Sequence, residues 1–165
     1  MLQTIVGRRG TGKTSLAWWA AQRYSGARVF ILDYKGDFGS LASSKITVVR
    51  YTRPEDVRAF CELAWDAADK RSRTLVVLDE IRCYGRDNED IAFLYRMGRE
   101  WNIDIIAIAH KFYDLSEYVR ALTDFYNVFQ IINPTDINYL KGYLDDSLVK
   151  TILSLDNFTF VTLSF

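Results

Sequence analysis

Eight residues constrain this chain more than any others: Gly7-Arg8-Arg9-Gly10-Thr11-Gly12-Lys13-Thr14. They satisfy the phosphate-binding pattern G-x-x-x-x-G-K-[ST] at every fixed position. The flanks agree, since Leu2 to Val6 reads as a short apolar strand and Lys13 to Tyr24 as a helix. Glycines let the backbone curl until its N–H groups point inward at phosphate oxygens, and the following helix adds its positive end. The pattern assigns Gly7, Arg8, Arg9, Gly10, Thr11, Gly12, Lys13, Thr14 and Ser15 to ATP binding. In that arrangement Lys13 reaches the β- and γ-phosphates and the Thr14 hydroxyl ligates Mg²⁺. A dinucleotide-binding turn is disfavoured, because it needs a glycine where Ser15 stands.

The length of 165 residues suits one domain with a full core, so 1–165 is read as a single ATPase domain. The 21 basic residues balance 21 acidic ones, which removes any global pull on nucleic acid. A DNA contact would have to come from a local patch or a ring of subunits. Cys61 and Cys83 offer neither a disulfide framework nor a metal-binding spacing, and a reducing compartment is expected. No apolar run approaches the roughly 20 residues needed to span a bilayer, and no signal peptide is read.

Further strands are expected at Arg28 to Leu32, Ile46 to Tyr51, Leu75 to Leu78, Ile103 to Ala109, Val128 to Ile132 and Phe158 to Leu163. Between them the sequence predicts helices from Pro54 to about Lys70, Ile91 to Trp101, Leu115 to Leu122 and Pro134 to Tyr143, with Asp145 or Asp146 capping one more. Strands alternating with helices predict an α/β fold, a mainly parallel central sheet flanked by helices on both faces.

Leu75-Val76-Val77-Leu78-Asp79-Glu80 is an apolar strand that ends in two carboxylates. A buried central strand would deliver both to the carboxyl edge of the sheet, where ligands bind. Asp79 would hold Mg²⁺, and Glu80 would act on the attacking water as a general base. A small-molecule kinase has no need for that second acid. The GTPase reading lacks an Asn-Lys-x-Asp segment. ATP hydrolysis coupled to mechanical work is the reading these motifs favour.

These motifs, together with Asp33-Tyr34-Lys35-Gly36-Asp37 and the block from Arg96 to Phe129, resemble the FtsK–HerA superfamily of DNA-pumping ATPases, in particular its small viral genome-packaging members. The resemblance implies a RecA-like (ASCE) P-loop NTPase that uses ATP and Mg²⁺ to drive double-stranded DNA into a capsid. It implies a homo-oligomer, usually a hexameric ring with ATP sites between subunits, docked on a capsid or portal-vertex protein. The implied location is the host cytoplasm or the virion.

Single residues carry further expectations. His110, the one histidine, follows an apolar strand where the family commonly has a γ-phosphate-sensing Gln; a structural role is the alternative. Arg96 and Arg99 share a helix face, and with Arg120 they are candidates for an arginine finger acting on a neighbouring subunit's ATP, or else a solvated basic face. Lys35 and Asp37 sit in a loop at the same sheet edge, which the resemblance places near the nucleotide. Arg82 with Arg86, and Lys70, Arg71 and Arg73, are candidate DNA contacts or simply solvated clusters. Of Trp18 and Trp19, one is expected on the sheet and the other toward a neighbouring subunit. Two other functions fit the same motifs: a cellular or mobile-element DNA-transfer or repair ATPase, and an ATP-binding virion-assembly switch without motor activity.

Overall fold

The computed structural model describes residues 1–164. In chain order it runs β1 (Leu2–Val6), α1 (Lys13–Arg23), β2 (Arg28–Asp33), β3 (Ile46–Arg50), α2 (Glu55–Asp66), β4 (Thr74–Leu78), α3 (Glu89–Met97), β5 (Ile103–Ala109), α4 (Glu117–Leu122), β6 (Phe125–Val128), α5 (Pro134–Lys141), α6 (Asp146–Leu153) and β7 (Val161–Leu163). The strands form one sheet in the order β3-β2-β4-β5-β1-β6-β7. All neighbours are parallel except β6 and β7.

The sheet is buried on both faces, which is why its central strands read as unbroken apolar runs. Side chains alternate between two cores, as the two-residue strand period requires. Phe30 and Leu32, Val76 and Leu78, and Ile103, Ile105 and Ala107 enter the larger core with residues of α2 and α3. Val29 and Ile31, Leu75 and Val77, and Ile106 and Ile108 enter the smaller core under α1. There Ala17 and Ala21, both fully buried, let α1 lie close on the sheet. Each fully buried branched side chain contributes about 1.5–3 kcal/mol relative to exposure. Trp18 packs against this core, whereas Trp19 is exposed and lies under the Arg23 guanidinium.

Several expected boundaries move. The sixth strand lies at Phe125–Val128 rather than Val128 to Ile132, because Gln3 to Val6 of β1 select Phe125 to Val128 as partners. The last strand pairs only over Val161–Leu163. The second helix stops at Asp66, not near Lys70; an Asp69–Ser72 bridge turns the chain into β4. The third helix begins at Glu89, capped by the Asn88 side chain, and tightens to a 3₁₀ turn from Gly98 to Trp101.

The strand order positions the chemistry. β5 lies between β1 and β4, with Val6 beside Ala109 and Leu78 beside Ala107. β2 lies on the far side of β4, with Leu32 beside Leu78. The segments that leave the carboxyl ends of β1, β5, β4 and β2 therefore stand side by side along one rim.

Candidate active site

The loop between β1 and α1 is held by backbone bonds from outside it. Arg8 N donates to Gln130 O at 3.0 Å, and Phe158 N donates to Thr11 O at 2.8 Å. A Cβ on Gly7 would come within 2.6 Å of the Phe129 Cβ, so the loop base tolerates no side chain there. Gly12 turns the chain into α1 at a φ of 104°, in the left-handed region that glycine enters at little cost. No acidic residue occupies the first turn of α1, so the helix's positive end is left for an anion. Inside the loop, the Lys13 ammonium and the Thr11 hydroxyl both donate to Arg8 O at 2.9 Å.

Three side chains converge on this loop from the neighbouring strands. His110, just past β5, places Nδ1 3.2 Å from Lys13 Nζ and Nε2 2.8 Å from Glu80 Oε1. Since an ammonium only donates, Nδ1 must accept, and Nε2–H donates to the carboxylate. Lys35, just past β2, forms an ion pair with the same Glu80 oxygen. Glu80 itself has a left-handed backbone at φ 53°, a strained conformation for a non-glycine residue that aims it from the end of β4 into the site. Asp33 builds the Lys35 loop: its carboxylate accepts from the N–H groups of Gly36, Asp37 and Phe38 at 2.7, 3.2 and 3.2 Å.

The two acids are tuned apart. Burial raises Asp79 to about 6, helped by the Glu80 charge. Burial also pushes Glu80 upward, but hydrogen bonds from His110 and Lys35 outweigh it and hold Glu80 at about 2. Burial lowers Lys13 to about 8, although the Glu80 charge opposes that shift.

Asp79 is fully buried; Oδ2 accepts from Lys35 N at 3.3 Å, while Oδ1 has no hydrogen-bond partner among the described residues. A buried orphan oxygen of this kind needs an explanation, and a hydrated cation supplies one. Among the described residues no group of three or more His, Cys, Asp or Glu could hold a metal alone. That donor set fits Mg²⁺, which keeps waters and takes one or two carboxylates plus substrate phosphates.

A cavity of about 260 Å³ is lined by Arg9, Gly10, Gly12, Thr14 and Ser15 on the loop side together with Lys13, Lys35, Glu80, His110 and Phe158. A larger hollow of about 440 Å³ beside Arg120, Tyr126 and Tyr139 has neither the amide nest nor the paired acids. Chemistry, not volume, selects the smaller one.

Comparison with solved structures agrees with this fold. The genome packaging NTPase B204 from Sulfolobus turreted icosahedral virus 2 in complex with AMPPCP superposes with a TM-score of 0.78 at 18% identity, over 99% of this chain and 91% of that one. The chain has the P-loop NTPase fold of this viral packaging protein. B204 in complex with ATP-gammaS gives a TM-score of 0.79 at 15% identity, over the same shares. EccC from Thermomonospora curvata (ATPases 2 and 3) in complex with a signal sequence peptide gives 0.62 at 12% identity, over 87% of this chain and 31% of that one. No protein-family model and no curated protein sequence matches the chain.

The remaining candidates lie apart from the cavity. Arg99 forms a 2.7 Å ion pair with Asp124 ahead of β5 and β6, at the amino rim of the sheet. Arg96 pairs with Glu89 of its own helix at 3.0 Å, and Arg120 donates to Leu115 O at 2.9 Å. None of the three lines the phosphate cavity of its own chain. Arg82 pairs with Asp114 at 2.9 Å and Arg86 lies over the Tyr113 ring, both on the carboxyl rim. Lys70, over the Trp101 ring, and Arg73, 2.8 Å from Asp104, lie with Arg71 ahead of β4 on the opposite rim. The sequence alone does not single out Phe158 for the site, and it gives Asp33 no role of its own. Only the acid at a strand end before Gly36 hints at Asp33.

Proposed function

We propose that this protein is a Mg-dependent ATPase that translocates double-stranded DNA, and that its work is packaging a viral genome into a capsid. The observation that carries the reading is the convergence of Lys13, His110 and Glu80 on one phosphate-sized cavity, with the orphan Asp79 oxygen on the residue next to Glu80. In this account the triphosphate replaces Arg8 O as the partner of Lys13, and the amides of Gly10 to Thr14 cradle its phosphates. Thr14 and Asp79 hold Mg²⁺, which when bound neutralises the charge that builds up on the phosphate oxygens.

Glu80 orients the water. Hydrogen bonds from His110 and Lys35 hold Glu80 ionised, and in this account it exchanges its Lys35 contact for that water. His110 then links Glu80 to the lysine that senses the γ-phosphate. The assembly is a homo-oligomeric ring, hexameric by resemblance, in which an arginine from a neighbour completes the site. DNA is held through its phosphates without base reading, by Arg82 and Arg86 on the Glu80 rim or by Lys70, Arg71 and Arg73 on the other. The ring docks on a capsid or portal-vertex protein, in the host cytoplasm or on the virion. Among the described residues no helix is long and apolar enough to cross a membrane.

The test is ATP turnover with and without double-stranded DNA, beside a mass measurement of the assembled species. DNA-stimulated turnover in a multi-subunit species supports the motor. ATP binding with no DNA response would favour an assembly switch. Neutralising Arg82 and Arg86 should lower the salt slope of DNA binding by about 1 for each DNA phosphate that these side chains neutralise.

A further inference from the structure

Phe158 stands out at the rim of the cavity. It is 70% exposed, yet its ring packs on the phosphate loop: a Cβ on Gly12 would meet Phe158 Cδ1 at 2.7 Å. Its own N–H donates to Thr11 O, which fixes it to the loop. Thr159 N donates to Asp156 O at 3.2 Å and closes a four-residue turn with Phe158 in third place, at φ 67°. That position favours Gly or Asn. Asn157 is one residue earlier, where its Oδ1 accepts from Arg8 Nη2 at 3.3 Å. A bulky aromatic at positive φ is an outlier. Here it buries little surface of its own, unlike Phe160, which packs on Phe129 with ring centroids 5.2 Å apart.

Lys13, His110, Glu80 and Lys35 touch one another in series in this cavity, and the proposed γ-phosphate lies among them. Arg9 adds a further positive charge to the lining, and Phe158, against Gly12, contributes the one apolar side chain among the described lining residues. A nucleotide whose terminal phosphates face Lys13 must send its nucleoside out past the start of α1, which is where this ring stands.

We propose that Phe158 is the base-stacking platform of the nucleotide site. It holds the nucleobase of the triphosphate by its flat face, and the turn strain keeps the ring off the core and presented to the ligand. This deepens the ATPase reading and rests on it. Stacking reads a π-face and needs no hydrogen-bonding edge, so the contact supplies affinity for a nucleoside triphosphate over a bare polyphosphate.

The test measures binding of ATP and of inorganic tripolyphosphate, each with Mg²⁺, to the full chain. Phe158→Ala should weaken ATP by roughly 5- to 100-fold and leave tripolyphosphate unchanged. Phe158→Tyr should bind ATP as the parent does. Phe158→Gly, which suits the turn, should melt no lower than the parent while showing the same selective loss. Unchanged ATP affinity in Phe158→Ala, or equal weakening of both ligands, would overturn the platform while leaving the phosphate loop standing. Failure of the parent to bind tripolyphosphate would instead bring down the phosphate-site reading and the platform with it.

Discussion

The Nε2 of His110 lies 2.8 Å from the Glu80 carboxylate. The contact exists because β5 is inserted between the strands that carry the phosphate loop and the acid pair. With Nδ1 facing Lys13, this histidine directly links the two groups that the proposed mechanism assigns to the γ-phosphate and to the attacking water. His110→Ala is expected to keep ATP binding and lose about 10- to 100-fold in turnover. His110→Gln, which can still donate to Glu80, should recover most of it. Unchanged steady-state turnover in His110→Ala would contradict the link.

Alkaline pH should weaken nucleotide binding before it affects the fold. Burial holds the Lys13 ammonium at about 8, so the free protein loses this charge as pH rises through that value. A lysine with a lowered pKa is charged below it and neutral above it, and phosphate binding needs the charged form. The dissociation constant for ATP is therefore expected to be flat from pH 7 to near 8. It should then climb toward about tenfold per pH unit. Calorimetric titration across pH 7–9.5 checks this, and a constant that stays flat to the end of that range would refute it.

The three arginines should act on a neighbour if they act at all. Arg99 is tied to Asp124 on the amino rim, and neither Arg96 nor Arg120 lines the cavity of its own chain. One of Arg96→Ala, Arg99→Ala and Arg120→Ala is expected to lose about 10³-fold or more in turnover. Mixing that variant with Lys13→Ala subunits should restore part of it, because each supplies what the other lacks at a shared site. ATPase assays of the mixtures read this directly. No rescue with any of the three would argue against an intersubunit finger.

The parts of the site that are legible in the sequence are those written locally. The phosphate loop keeps all its fixed residues within eight positions, and Asp79 and Glu80 follow the strand that delivers them. What stays hidden depends on distant partners. Lys35 meets Glu80 across 45 residues, and nothing in the loop after β2 announces that pairing. The apolar run Val128 to Ile132 looks like a strand, but the ladder with β1 pairs Phe125–Val128; beyond it Phe129 N donates to Val6 O and Gln130 O accepts from Arg8 N, so this run anchors the phosphate loop instead. Phe158 reads as the start of a strand because its alternation with Phe160 is real. Its positive φ and its approach to Gly12 are three-dimensional facts with no local signal.

The most direct measurement is ATP turnover by Glu80→Gln alongside its ATP affinity. Glutamine preserves the shape of the side chain but removes the charge held by Lys35 and His110. The account predicts ATP binding close to that of the parent and a turnover at least about 10²-fold lower. Full turnover in Glu80→Gln would contradict it.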